Sequence, residues 1–124
     1  MERNVIVNDT YNTIVLETEH LDTDEVMEIE RTLEEQLASG IQCIIINLRN
    51  VENITPAAGH YFEKFHNQFY NQGCSLVFAE PSENVHKRLK QEQLHLIINL
   101  SPTMEEAIDI ISMEILERDL MNED

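Results

Sequence analysis

Ile41-Gln42-Cys43-Ile44-Ile45-Ile46-Asn47-Leu48 is nearly unbroken apolar sequence, most of it β-branched. A strand with one wet face alternates apolar and polar residues. A run like this one is covered on both faces, the cover that helices give a parallel sheet. Upstream, Val26, Ile29, Leu33 and Leu37 recur at spacings of 3, 4 and 4, one stripe of an amphipathic helix. Asp22 with Glu25 three residues on makes a capping box at its start, although Thr23 could cap instead, and Gly40 stands where a left-handed C-terminal residue belongs. Further out, Val5–Val7 and Thr13–Thr18 are β-rich runs separated by the turn-forming stretch Asn8-Asp9-Thr10-Tyr11-Asn12, and they read as a hairpin.

Downstream, Arg49–Thr55 is a polar loop, and Pro56–Gln72 reads as a second helix with Ala58, Phe62, Phe65 and Phe69 as its inner stripe. Gly73 closes it, and Cys74–Ala79 is another apolar strand. Pro81-Ser82-Glu83 opens a short helix to about Gln91, with Val85 and Leu89 facing in. Leu96-Ile97-Ile98 reads as a last brief strand. Ser101-Pro102-Thr103 starts a terminal helix with the stripe Met104, Ile108, Ile111 and Ile115. The order ββαβαβαβα predicts an α/β fold: a mixed, mostly parallel sheet of four to five strands, one antiparallel edge, and about four helices. Residues 1–124 read as one domain without repeat or linker, whose mixed-charge end, 116–124, is expected to fray.

Charge and composition exclude several classes. Lys and Arg number 8 against 24 Asp and Glu, a formal charge of -16. Such a chain is repelled by nucleic acid and by anionic lipid. No apolar run approaches the ~20 residues of a membrane span, and Met1–Val5 does not open a signal peptide, so a cytoplasmic location is expected. Cys43 and Cys74 lie in apolar stretches without metal-ligand spacing and are expected to be free, buried and inaccessible.

Four constellations could carry chemistry. His60, Glu63 and His66 share one side of the second helix, but HExxH is absent and no further ligand stands nearby, so a solvated outer face is the simpler reading. Nucleophilic catalysis lacks a GxSxG, and Gly40, Gly59 and Gly73 are too scattered to cradle a phosphate. No enzyme, cofactor or metal is therefore expected. The first helix carries Asp22, Asp24, Glu25, Glu28, Glu30, Glu34 and Glu35 against Arg31, either a solvated face or a docking surface for a basic partner. The fourth is the junction from Asn47 to Gly59, where a buried strand ends and a helix begins. Thr55 fits the N-cap and Pro56 the first helical position, while Ala57, Ala58 and Gly59 either pack closely on the sheet or let a partner approach.

This layout resembles the STAS domain of anti-sigma factor antagonists. The family's G-x-L-D stretch is similar to Glu19-His20-Leu21-Asp22, and its L-D-L-x-x-V-x-x-I-D-S-S-G-L pattern to Ile46 through His60. A G-x-x-L-x-L-x-x-P-x-x-x-V-x-x-x-L stretch resembles Gly73 through Leu89, and S-x-E-E-A-I resembles Thr103 through Ile108. The resemblance covers about residues 5–116. It implies a non-catalytic module binding a protein partner, a serine-kinase-like anti-sigma factor, through Asn53, Thr55, Pro56, Ala57, Ala58, Gly59, His60 and Glu63, with the hairpin–first-helix corner beside them. The family's phosphorylated Ser corresponds to Ala57, and its L-D-L Asp to Asn47, so the resemblance implies a regulator without the usual phosphorylation switch. Thr55 is the one hydroxyl left between Arg49 and Gly59. The alternative it implies is an accessory subunit of a lipid-type ABC transporter, docked on the ATPase.

Overall fold

A computed structural model describes residues 2–121. Its elements are β1 (Arg3–Val7), β2 (Asn12–Leu16), β3 (His20–Leu21), α1 (Thr23–Ala38), β4 (Cys43–Asn47), β5 (Asn53–Ile54), α2 (Pro56–Asn71), β6 (Ser75–Ala79), α3 (Glu83–Gln91), β7 (Leu100–Ser101) and α4 (Met104–Met121). The main sheet runs β1-β2-β4-β6-β7, parallel except for the antiparallel β1 edge. β4 is its centre strand, which explains the unbroken apolar run. Ile44 and Ile46 point to the face under α1, α2 and α3, while Cys43 and Ile45 point to the face under α4. Both faces are thereby dry.

The helix signals act as read. Asp22 Oδ1 accepts from Glu25 N–H at 3.2 Å, and Ser82 Oγ accepts from Val85 N–H at 3.1 Å, each relieving an unpaired donor of the first turn. Gly40 and Gly73 close α1 and α2 at φ 87° and 70°, left-handed values that a Cβ resists. Ala58, Phe62, Phe65 and Phe69 are all buried, and Phe62 stacks on Phe78 of β6 with centroids 4.3 Å apart.

Three expectations are corrected. Leu96–Ile98 is not a strand; Leu94–Leu96 forms a 3₁₀ turn, and the strand comes later, Leu100 and Ser101 pairing with Phe78 and Ala79. Gln93 enters that turn in the left-handed conformation, φ 58°. Leu94 and Ile98 then bury together, four residues apart, while Leu96 and Ile97 face out, so the triplet's apparent β pattern was only composition. In α4 the fully buried positions are Ala107 and Ile111, with Met104, Ile108 and Ile115 half-buried around them. The helix is described through Met121, and within it Arg118 reaches back to the sheet. Its guanidinium donates to Ser75 Oγ at 2.9 Å and to Cys43 Sγ at 3.7 Å. Residues 122–124 lie outside the described residues.

The third correction concerns the thiols. Both are free, but only Cys43 is buried; Cys74 precedes β6 and is half-exposed. Burial pushes both thiols above their ordinary pKa, against the opposing pull of Arg118, and so keeps the reactive thiolate scarce. Native-state alkylation should therefore reach Cys74 slowly and Cys43 only on unfolding. Peptide mapping that found Cys43 modified first would contradict this order.

Candidate functional site

The junction is built by a chain of backbone bonds. At the end of β4, Leu48 N–H donates to Ala79 O at 2.8 Å and Val51 N–H to Leu48 O at 2.9 Å, turning the chain with Val51 fully buried. Glu19 O accepts from Glu52 N–H at 2.7 Å and from Asn53 N–H at 3.0 Å, and Leu21 O accepts from Thr55 N–H at 3.0 Å. β5 thus runs parallel to β3, and this two-stranded ladder joins the 19–22 stretch to the start of α2. Thr55 Oγ1 accepts from Ala58 N–H at 3.2 Å, and Pro56 takes the first helical position, where a missing N–H costs nothing.

The first turn of α2 is divided between core and solvent. Ala58 and Gly59 are buried; Thr55, Pro56, Ala57 and His60 are exposed. A Cβ on Gly59 would lie 3.2 Å from Leu94 Cδ1, so the turn packs against the 3₁₀ segment and α3 rather than directly on the sheet. Ala57 N–H is the one donor of the turn left without a partner among the described residues, since Ala58 N–H is bound to Thr55 and Gly59 N–H donates to Thr55 O.

Around this turn lie side chains that the local sequence did not single out. Asn84 Nδ2 donates to Glu52 O at 3.0 Å and to Asn53 Oδ1, and Asn53 Nδ2 lies 3.2 Å from His20 Nδ1. His60 Nε2 is 3.3 Å from Glu92 Oε2. Asn84 and Glu92 sit 31 and 32 residues from their partners, beyond any periodicity, whereas His20 lay inside the quoted 19–22 stretch. Glu63 is half-buried and, with His60, Glu30, Glu34 and Lys64, lines an open groove between α1 and α2. Lys64 Nζ sits 2.7 Å from Glu30 Oε2, a hydrogen bond and charge that raise the lysine's pKa. His66 does not line the groove, and no three His, Cys, Asp or Glu among the described residues are placed to hold a metal.

Asn47 is the most committed polar group near the site. It is 1% exposed; its Nδ2 donates to Glu80 Oε1 at 2.7 Å and its Oδ1 accepts from Arg49 N–H at 2.9 Å. An amide satisfies a donor and a carboxylate at once; an aspartate there would face Glu80 with no proton to give. Asn47→Asp should therefore cost about 1–3 kcal/mol at pH 7. The pair would retain a proton in the folded state, raising a carboxyl pKa, so folding binds protons and stability falls as pH rises through and above the ordinary carboxylate range. Urea unfolding at pH 5 and pH 7 checks this: the deficit should shrink at the lower pH, and an equal deficit at both would contradict it.

The STAS domain family model matches residues 4–107. The fold is similar to that of the anti-sigma factor antagonist SpoIIAA in its unphosphorylated form, at 18% identity and a TM-score of 0.72, covering 90% of this chain and 96% of that one. A putative anti-sigma factor antagonist from Thermotoga maritima is 19% identical with a TM-score of 0.75, covering 89% and 94% of the two chains. An anti-sigma factor antagonist from Mycobacterium paratuberculosis is 14% identical with a TM-score of 0.72, covering 90% and 93%. Among curated proteins none matches in sequence.

Proposed function

The chain belongs to the STAS-domain family, and from that premise we propose that it is a non-catalytic, cytoplasmic binding module that docks a serine-kinase-like anti-sigma factor on the exposed corner around the start of α2. The observation that carries the reading is the first turn itself. Pro56 and Ala57 stand in solvent at the carboxyl end of the central strand, on a helix capped by Thr55 and welded through β5 to β3. A partner meets there a rigid surface of small side chains, with one free backbone donor at the positive end of the helix dipole. Asn53, His60 and Glu63 supply polar contacts at its rim.

Ala57 offers no oxygen to a kinase, so the complex forms without the on/off step that a phosphorylated Ser gives the family. The test is a titration of the labelled protein with a serine-kinase-like anti-sigma factor, followed by backbone amide shifts. Perturbation centred on 53–63 is expected. Binding that perturbs only the outer face of α4, or no binding by any such factor of the host, would overturn the reading.

A further inference from the structure

The main sheet has two edges. β7 ends one with two residues; β1 ends the other with five, Arg3–Val7, and no further strand pairs with its outer edge among the described residues. The hairpin's own hydrogen bonds show which groups this edge presents. Glu17 N–H donates to Glu2 O at 2.9 Å, and Asn8 N–H donates to Tyr11 O at 3.1 Å, one at each end of the pairing in which Val5 faces Ile14. Bonded and non-bonded pairs alternate along an antiparallel ladder. The bonded pairs are therefore Asn4–Val15 and Ile6–Thr13, and the N–H and C=O groups of Val5 and Val7 point away from β2. Val5, Ile6 and Val7 are also 40, 50 and 73% exposed.

Natural sheets blunt such an edge with proline, charged side chains or a bulge; β1 carries one charge, Arg3, at its first residue, and no proline. We propose that β1 is a self-pairing edge: a second copy of this chain docks on it antiparallel about Val5, joining two five-stranded sheets into one. The strand's chemistry favours a second copy over a foreign strand. About a two-fold axis at Val5, Val5 exchanges both bonds with its own counterpart, and Val7 pairs with Arg3 of the other copy, an isologous ladder needing no other sequence. Two chains of -16 repel over most of their surface, yet Arg3–Val7 contains no carboxylate to add to that repulsion at the edge. This inference is independent of the partner reading.

Sedimentation velocity of the full chain from about 1 μM to about 1 mM should show a concentration-dependent dimer, strengthened by added salt that screens the net repulsion. Val5→Pro deletes an outward N–H and leaves both bonded pairs with β2 intact, so it should weaken dimerisation at least about tenfold with an unchanged circular dichroism spectrum. Should that variant not fold, a charge pair at position 7 serves. Val7→Lys sets a like charge opposite Arg3 and should weaken the dimer, whereas Val7→Glu sets an opposite one and should strengthen it. A monomer throughout the range overturns the proposal. So does a dimer indifferent to these changes, which would place the contact elsewhere, for instance on the exposed Met113, Leu116 and Leu120 of α4.

Discussion

Phe65→Ala should lower the unfolding free energy by about 3–5 kcal/mol. The side chain is completely buried midway along α2, in the core cluster that α1, α2, α3 and the sheet share. Truncation removes the ring's transfer free energy and leaves a void. The flanking rings are tied elsewhere: Phe62 is stacked on Phe78, and Phe69 closes the far end of the same stripe. Against the ~5–15 kcal/mol that holds a typical domain together, such a loss is a large share of the whole. Urea unfolding should show the midpoint fall with an unchanged slope. Tyr70→Ala, at a residue 74% exposed on the same helix, is the control and should stay within ~0.5 kcal/mol. A Phe65→Ala loss below about 1 kcal/mol would mean that α2 presents a different face to the sheet.

That stripe was legible because one physical signal, apolar recurrence at 3 and 4, is local and α2 is long enough to repeat it. The same holds for β4, whose apolar run has a single economical reading once helices flank it. Failures fell where the signal was short or the contact distant. Leu96-Ile97-Ile98 is three residues, too few to distinguish a period of two from a turn, and Gln93's left-handed backbone decided the matter from outside the triplet. β3 and β5 are two residues each and exist only because they find one another across 33 positions of sequence. The contact of Arg118 with Ser75 and Cys43 is likewise tertiary, 43 and 75 residues apart in sequence, and no local signal announces it. At the candidate site the cap, the proline and the small residues were visible in sequence. The burial of Gly59 was not, because it depends on Leu94 and Leu89, distant in sequence; helical period does separate Ala58, in line with the Phe stripe, from the outward Ala57.

That separation matters most for the switch. Ala57 points to solvent in a turn whose dipole and free N–H favour an anion, yet it has no atom to phosphorylate. Incubated with ATP and a serine-kinase-like partner, the native protein should remain unmodified and bound. Ala57→Ser should place a hydroxyl in that exposed turn. The partner would move the γ-phosphoryl group of ATP to it, releasing ADP, and add about -1.5 to -2 charges to the docking surface. Glu52 and Glu63 already flank the turn, and Lys64, the nearest Lys or Arg in sequence, is paired with Glu30, so the new charge finds little compensation. Affinity should fall about a hundredfold, the equivalent of ~2.7 kcal/mol. Intact mass and co-elution read the two effects separately. Phosphate on the 49–60 segment of the native chain would refute the prediction and fall on Thr55, whose Oγ1 is spent capping Ala58 N–H, so that α2 would also lose about 1 kcal/mol of capping. A partner that binds Ala57→Ser and never modifies it would not be a kinase of the family's kind, and the proposed function would have to give up that partner while keeping the surface.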